Sequence, residues 1–164
     1  MGHIHCVRPK RIVAAGRAAP GADAIDRTVR RMSFHSSGAS APWAVVTPLR
    51  MLITGAGGFL GGHLVAAART AGHRVLATSR RGGDVAVDLL GPSMVAAVVQ
   101  AAQPDVVVNL AALARIDACE RDPAAAHRAN SWLPEQFAER FGARLLHVST
   151  DLVFAGTRAP YSIH

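Results

Sequence analysis

The sequence predicts an α/β fold: a doubly wound sheet of parallel strands joined by helical crossovers. Three observations predict it. First, a glycine turn, Thr54-Gly55-Ala56-Gly57-Gly58-Phe59-Leu60-Gly61-Gly62-His63, stands between a short apolar run and a helix-forming run. Second, short apolar segments alternate with helical ones, the order expected of parallel strands joined by crossovers. Third, Asp105-Val106-Val107-Val108-Asn109-Leu110 is almost continuously apolar. A strand of a parallel sheet, buried on both faces, reads that way.

The elements follow in order from Arg50. Residues 50–54 read as the first strand. Leu60 to Ala71 reads as a helix, and Gly72 stands where a left-handed cap is favoured. Residues 73–78 make a second strand. Residues 84–88 alternate and make a third. Pro92 and Ser93 open a helix that runs through Gln103. Residues 105–110 are the fourth strand. Pro123 to Phe141 is mostly helical, with an adjustment at Pro134. Residues 144–149 are the fifth strand. No internal repeat is visible beyond this alternation.

Residues 1–49 differ from the rest. They show no sustained period of 2 or 3.6 and are broken at Pro9, Pro20, Pro42 and Pro48. Such a segment buries too little apolar surface to offset its ordering entropy, so disorder is expected. It reads as a basic leader, either a disordered tail or sequence lying upstream of a natural start at Met51. The domain proper is residues 50–164. His3, His5 and Cys6 lie in the leader with no supporting shell and read as a chance cluster, so no metal site is expected.

Charge and composition narrow the function. The chain has 164 residues and a net charge of +7. Residues 1–50 hold eight basic residues against two acidic ones, and residues 51–164 hold ten against nine. The patterned part is therefore almost neutral. Only Phe34 and Trp43 stand among the leader's arginines, so a nucleic-acid role is not expected. No apolar run is long enough for a membrane span. Cys6 and Cys119 have no metal or redox spacing. A cytoplasmic protein with no nucleic-acid or membrane partner is expected.

The glycine turn carries the chemistry. Gly55, Gly58 and Gly61 are spaced G-x-x-G-x-x-G. The first glycine turns the chain, the second lets backbone approach a pyrophosphate, and the third lets helix pack on sheet. The helix N-terminus adds unpaired N–H groups and partial positive charge. In an open parallel sheet, ligands bind beyond the C-terminal ends of the strands. After the second strand stand Ser79, Arg80 and Arg81, with no acidic residue for a ribose 2′-OH. An arginine there suits a 2′-phosphate, so NADP is favoured over NAD. Asp88 and Leu89 face the adenine. Asn109, Leu110, Ala111 and Ala112 supply small residues along the cofactor path. Ser149, Thr150 and Asp151 bring hydroxyls to the place of substrate chemistry.

Three stretches resemble a known family, the extended short-chain dehydrogenase/reductases. They are Thr54-Gly55-Ala56-Gly57-Gly58-Phe59-Leu60-Gly61, Asn109-Leu110-Ala111-Ala112 and Ser149-Thr150-Asp151-Leu152-Val153-Phe154. The nearest branch is the dTDP-4-dehydrorhamnose reductases and their RmlD-like relatives. Pro104 to Ala112, then Asp117, Glu120-Arg121-Asp122-Pro123 and Asn130, follow that branch, as do Ala155-Gly156 and Pro160-Tyr161 behind the third stretch.

The resemblance covers residues 50–164 and implies a Rossmann-type sheet. It implies hydride transfer from NAD(P)H to a 4-keto nucleotide sugar, as in dTDP-rhamnose biosynthesis. By this resemblance Gly55, Gly58, Phe59, Leu60, Gly61, Ser79, Arg80, Asp88, Leu89, Asn109, Ala111, Ala112 and Ser149 serve the cofactor. Thr150 is the catalytic hydroxyl.

The family also uses a Tyr-x-x-x-Lys pair. The only Lys here is Lys10 and the only Tyr is Tyr161, which matches a loop position instead. The chain therefore reads as the N-terminal, cofactor-binding part of a longer enzyme, ending before the last strands and the substrate lobe. Other readings are a nucleotide-sugar epimerase or dehydratase, or a non-catalytic RmlD-like regulatory subunit. A homodimer is compatible with all of them.

Overall fold

A computed structural model describes residues 47–153. The expectations for the leader's first 46 residues, for the His3/His5/Cys6 group, for Phe154 and for Tyr161 lie outside the described residues.

Five parallel strands form one sheet in the order β3-β2-β1-β4-β5. They are β1 (Arg50–Thr54), β2 (Arg74–Ser79), β3 (Val85–Ala86), β4 (Val106–Asn109) and β5 (Leu145–His147). The order reverses beside β1, so the switch point lies between β1 and β4. Register aligns Leu52 with Leu76 and Val107, and Ile53 with Ala77 and Val108.

Alternation along each strand sends these two rows to opposite faces. On one face Ile53, Val75, Ala77 and Val108 pack with Ala68, Leu64 and Val65 of α1 (Phe59–Thr70). On the other, Leu52, Leu76 and Val107 pack against α2 (Met94–Ala102) and α5 (Leu133–Phe141) through Val95, Val98, Leu133 and Phe137. Both faces are thus covered, which explains why these strands are apolar throughout. Phe137 is fully buried, and truncating such a ring typically costs about 3–5 kcal/mol.

The boundaries differ from expectation in instructive ways. β3 is only Val85–Ala86, because it pairs solely with Thr78 and Ser79 at the end of β2. α2 starts at Met94, since Ser93 takes a left-handed conformation (φ 59°) and makes no side-chain cap. Gly72 has φ 87°, in keeping with a glycine just past the helix end. A short helix not anticipated, α3 (Ile116–Arg121), precedes α4 (Pro123–His127). Asp122 caps α4 by accepting from the Ala125 N–H at 3.0 Å.

The expected adjustment near Pro134 is a π-helical segment, Arg128–Trp132, joining α4 to α5. Pro134 has no N–H for the carbonyl four residues back and its ring crowds that turn. The wider turn just upstream accommodates it.

At the N-terminal edge of the sheet Arg50 grips Asp105. Its Nη2 donates to Oδ1 at 2.6 Å and its backbone N–H to Oδ2 at 2.7 Å. These bonds, the side-chain ones foremost, hold the Asp105 carboxyl down from 3.8 to about 2. Among the described residues no helix is long and apolar enough to cross a membrane.

Candidate functional site

The glycine turn leaves β1 at its C-terminal end. Gly55 has φ 68°, and a Cβ there would stand 2.6 Å from the Leu110 carbonyl carbon. No side chain fits, so β1 and the segment after β4 approach backbone to backbone. Gly61 is buried, and a Cβ there would collide with the Gly55 carbonyl and Ala56 Cα. That contact seats the first turn of α1 on the loop, the packing role anticipated for the third glycine. Gly58 is different. It is exposed, and a Cβ there would meet only the Gly55 carbonyl oxygen, at 3.2 Å. Its openness therefore faces the solvent side, where an anion would sit against the start of α1.

This turn forms one wall of a cleft of about 510 Å³, within the usual size of a ligand site, roughly 300–1,000 Å³. Gly55, Gly57 and Gly58 line it from the turn, and Ser79, Arg80 and Arg81 from the end of β2. Val87 to Leu90 come from the segment after β3, and Leu110 to Leu113 from the segment after β4. Ala125, Ala129 and Leu133 close it from the helices. The cleft thus opens at the C-terminal ends of the strands, across the switch point.

Of the residues read from the sequence, Gly55, Gly58, Ser79, Arg80, Asp88, Leu89, Ala111 and Ala112 come together on this cleft. The Ser79 hydroxyl donates to the Gly82 carbonyl at 2.9 Å and shapes the turn that carries both arginines. Arg80 and Arg81 are exposed. Asp88 Oδ1 accepts from the Leu90 N–H at 3.0 Å.

Phe59, Leu60, Gly61, Asn109, Ser149 and Thr150 are not on the cleft wall. Phe59 is 88% exposed and meets the His63 ring edge-on at 5.1 Å. Asn109 is fully buried. Its Oδ1 accepts from Thr54 Oγ1 at 2.5 Å, and its amide nitrogen pairs with His147 Nδ1 at 3.1 Å. Thr54 Oγ1 in turn accepts from the Ala111 N–H at 3.3 Å. Asn109 therefore acts on the cleft through Thr54 and Ala111. Ser149 and Thr150 are exposed beyond β5, where Thr150 Oγ1 accepts from the Leu152 N–H at 3.3 Å.

Sequence reasoning gave no role to Gly57, Val87, Leu90, Leu113, Ala125, Ala129 or Leu133. For the last three a signal existed: a spacing of four on one helix side. Asn130, noted only as part of a resemblance, holds Leu113 by both backbone groups. It accepts from the Leu113 N–H at 2.8 Å and donates to the Leu113 carbonyl at 3.0 Å.

Residues 49–164 match the RmlD substrate binding domain family. The chain belongs to that family. Among RmlD-type relatives, a dTDP-4-dehydrorhamnose reductase of Mycobacterium tuberculosis is 40% identical over 110 residues, covering 65% of this chain and 34% of the relative. One of Burkholderia thailandensis is 40% identical over 117 residues, covering 69% of this chain and 38% of the relative. The chain thus spans little more than a third of the length of these RmlD-type proteins. The fold agrees. The crystal structure of dTDP-4-dehydrorhamnose reductase from Bacillus anthracis in complex with NADP superposes with a TM-score of 0.60 at 27% identity, covering 71% of this chain and 41% of that one.

Proposed function

We propose that this chain is the NADP-binding part of a reductase acting on a 4-keto nucleotide sugar. The observation that carries the proposal is the open Gly58 turn on a cleft that Arg80 and Arg81 also line. The fit is good on geometry alone. Gly58 leaves room for a pyrophosphate against the start of α1, where Asp and Glu are absent from the first turn. The two arginines suit a 2′-phosphate, and residues 79–83 hold no acidic residue. The cleft's small residues, Ala111 and Ala112, leave its floor open, while Asp88 and Leu89 bound the adenine end. The NADP complex of the Bacillus anthracis reductase supports the same reading.

The dinucleotide, when bound, supplies a hydride to a carbonyl carbon. This chain's residues bind and orient. Gly55 and Gly61 hold the turn, and Arg80 and Arg81 neutralise the 2′-phosphate. Thr150, beyond β5 and off the cleft wall, is the hydroxyl that the family resemblance assigns to orienting the substrate carbonyl. The nucleotide-sugar substrate is the one named for the relatives, and the protein works in the cytoplasm. The epimerase or dehydratase alternative is not favoured, because the relatives of the same family are reductases.

Calorimetric titration with NADP tests the proposal. The wild-type chain should bind and Gly58→Val should not, since a side chain would fill the phosphate's place. Arg80→Ala should weaken NADP about tenfold and NAD little, as loss of one charge-assisted phosphate contact implies. Equal binding by wild type and Gly58→Val would defeat the proposal.

A further inference from the structure

The π segment Arg128–Trp132 touches both loops that wall the cleft. π turns inside helices recur at functional sites. Here the segment's Asn130 holds Leu113 of the β4 loop. On its other side the Arg128 guanidinium donates to the carbonyl oxygen of Leu90, in the loop after β3. Ala129, between them, lines the cleft. Arg128 itself is exposed and is not on the cleft wall. Its guanidinium carbon lies 6.0 Å from the Trp132 ring centroid, a contact that helps to aim it.

Leu89 is buried in the core and Leu90 packs against it, so apolar contacts seat this segment. Its backbone hydrogen bonds are those of its own turn. The Leu90 N–H donates to Asp88 Oδ1 and the Gly91 N–H to the Asp88 carbonyl, both at 3.0 Å. These bonds set the shape of the turn, while Leu89 in the core fixes its base. Among the described residues Arg128 adds the side-chain hydrogen bond that ties the Leu90 carbonyl across to the helices. We propose that Arg128 is a positioning residue for the purine end of the cleft: through the Leu90 carbonyl it holds the Asp88–Leu90 lip against an adenine without touching the ligand. The proposal rests on the dinucleotide reading above and adds to it which residue tunes the base end.

The test compares two probes by calorimetry on the full chain. Inorganic pyrophosphate reads the glycine turn alone, whereas ADP reads the turn together with the purine end. Arg128→Met keeps the aliphatic stem and removes the donor. It should weaken ADP about fivefold, the size of one ordinary net hydrogen bond, since the contact acts on the ligand only through Leu90, and leave pyrophosphate unchanged. Arg128→Lys retains a charged donor and should recover most of the ADP affinity. Should Arg128→Met fail to fold, Arg128→Gln, whose shorter amide falls away from Leu90, carries the same expectation.

Unchanged ADP affinity in the donor-less variant overturns the proposal. So does an equal loss of both probes, which would mark a general structural role. Wild-type protein that binds neither probe overturns the dinucleotide reading and this proposal with it.

Discussion

Thr54 and Thr78 stand in register on β1 and β2, both fully buried, and only one of their hydroxyls is hydrogen-bonded. Thr54 Oγ1 donates to Asn109 and accepts from Ala111, whereas Thr78 Oγ1 has no partner in the described structure. The two sites therefore respond oppositely to the same near-isosteric change. Thr54→Val strands a buried acceptor and the Ala111 N–H, and should destabilise the fold by about 2 kcal/mol. Thr78→Val removes an unsatisfied hydroxyl and should be neutral or stabilising by up to about 1 kcal/mol. Urea unfolding measures both. Equal destabilisation would contradict the hydrogen-bond assignment.

The glycines of the turn should separate into structural and ligand-facing positions. Gly55→Ala meets a left-handed φ and the Leu110 backbone at once. It should cost more than about 2 kcal/mol. Gly58→Ala meets one backbone carbonyl at 3.2 Å at an ordinary φ, and should cost less stability than Gly55→Ala while weakening NADP. A Gly55→Ala protein as stable as wild type would remove the close approach of β1 to the β4 loop from the account.

Acid should weaken the Arg50–Asp105 clasp. Because the Asp105 carboxyl is held at about 2 in the folded chain, below its ordinary 3.8, the folded state binds fewer protons there than the unfolded state. Its contribution is complete above the ordinary value and disappears as pH falls through about 2. Arg50→Met should therefore flatten the fall in stability over that acid window and leave its slope near neutrality alone. Thermal melts across the two pH ranges would show this, and an unchanged acid slope would mean that Asp105 is not linked to folding.

The outer strand should govern self-association. β5 is an edge of the described sheet, with Leu146 54% and Val148 40% exposed. An open, apolar edge is a template for pairing with another chain. Leu146→Lys should raise the monomeric fraction in sedimentation. A wild-type chain that stays monomeric at high concentration would count against this surface.

What could be read from the sequence tracks how local the cause is. The glycine turn was legible because Gly61 answers a constraint set a few residues away, at Gly55 and Ala56, and Gly55 takes a left-handed φ, although what crowds Gly55 is the distant Leu110 backbone. β1 and β4 were legible because both faces of each are covered, so nearly every residue is apolar. α3 was not, since none of its residues is buried. It is instead braced by Asp117, which pairs with Arg115 at 2.9 Å and Arg121 at 3.3 Å. The helical wall of the cleft was missed for another reason. Ala125, Ala129 and Leu133 are small or ordinary residues whose spacing of four is kept in line by the wider π turn, and that turn is not visible in composition. Asn109 looked like a cofactor contact, yet its side chain is spent inside the fold, between Thr54 and His147.

The most direct test of the cleft as a dinucleotide site is an amide NMR titration of the wild-type chain with NADP. Saturable shifts should cluster at Gly55–Gly58, Ser79–Arg81, Asp88–Leu90 and Ala111–Leu113, with Arg50 and Asp105 at the opposite end of the sheet unmoved. Absence of saturable shifts, or shifts confined to residues away from the C-terminal ends of the strands, would contradict the account.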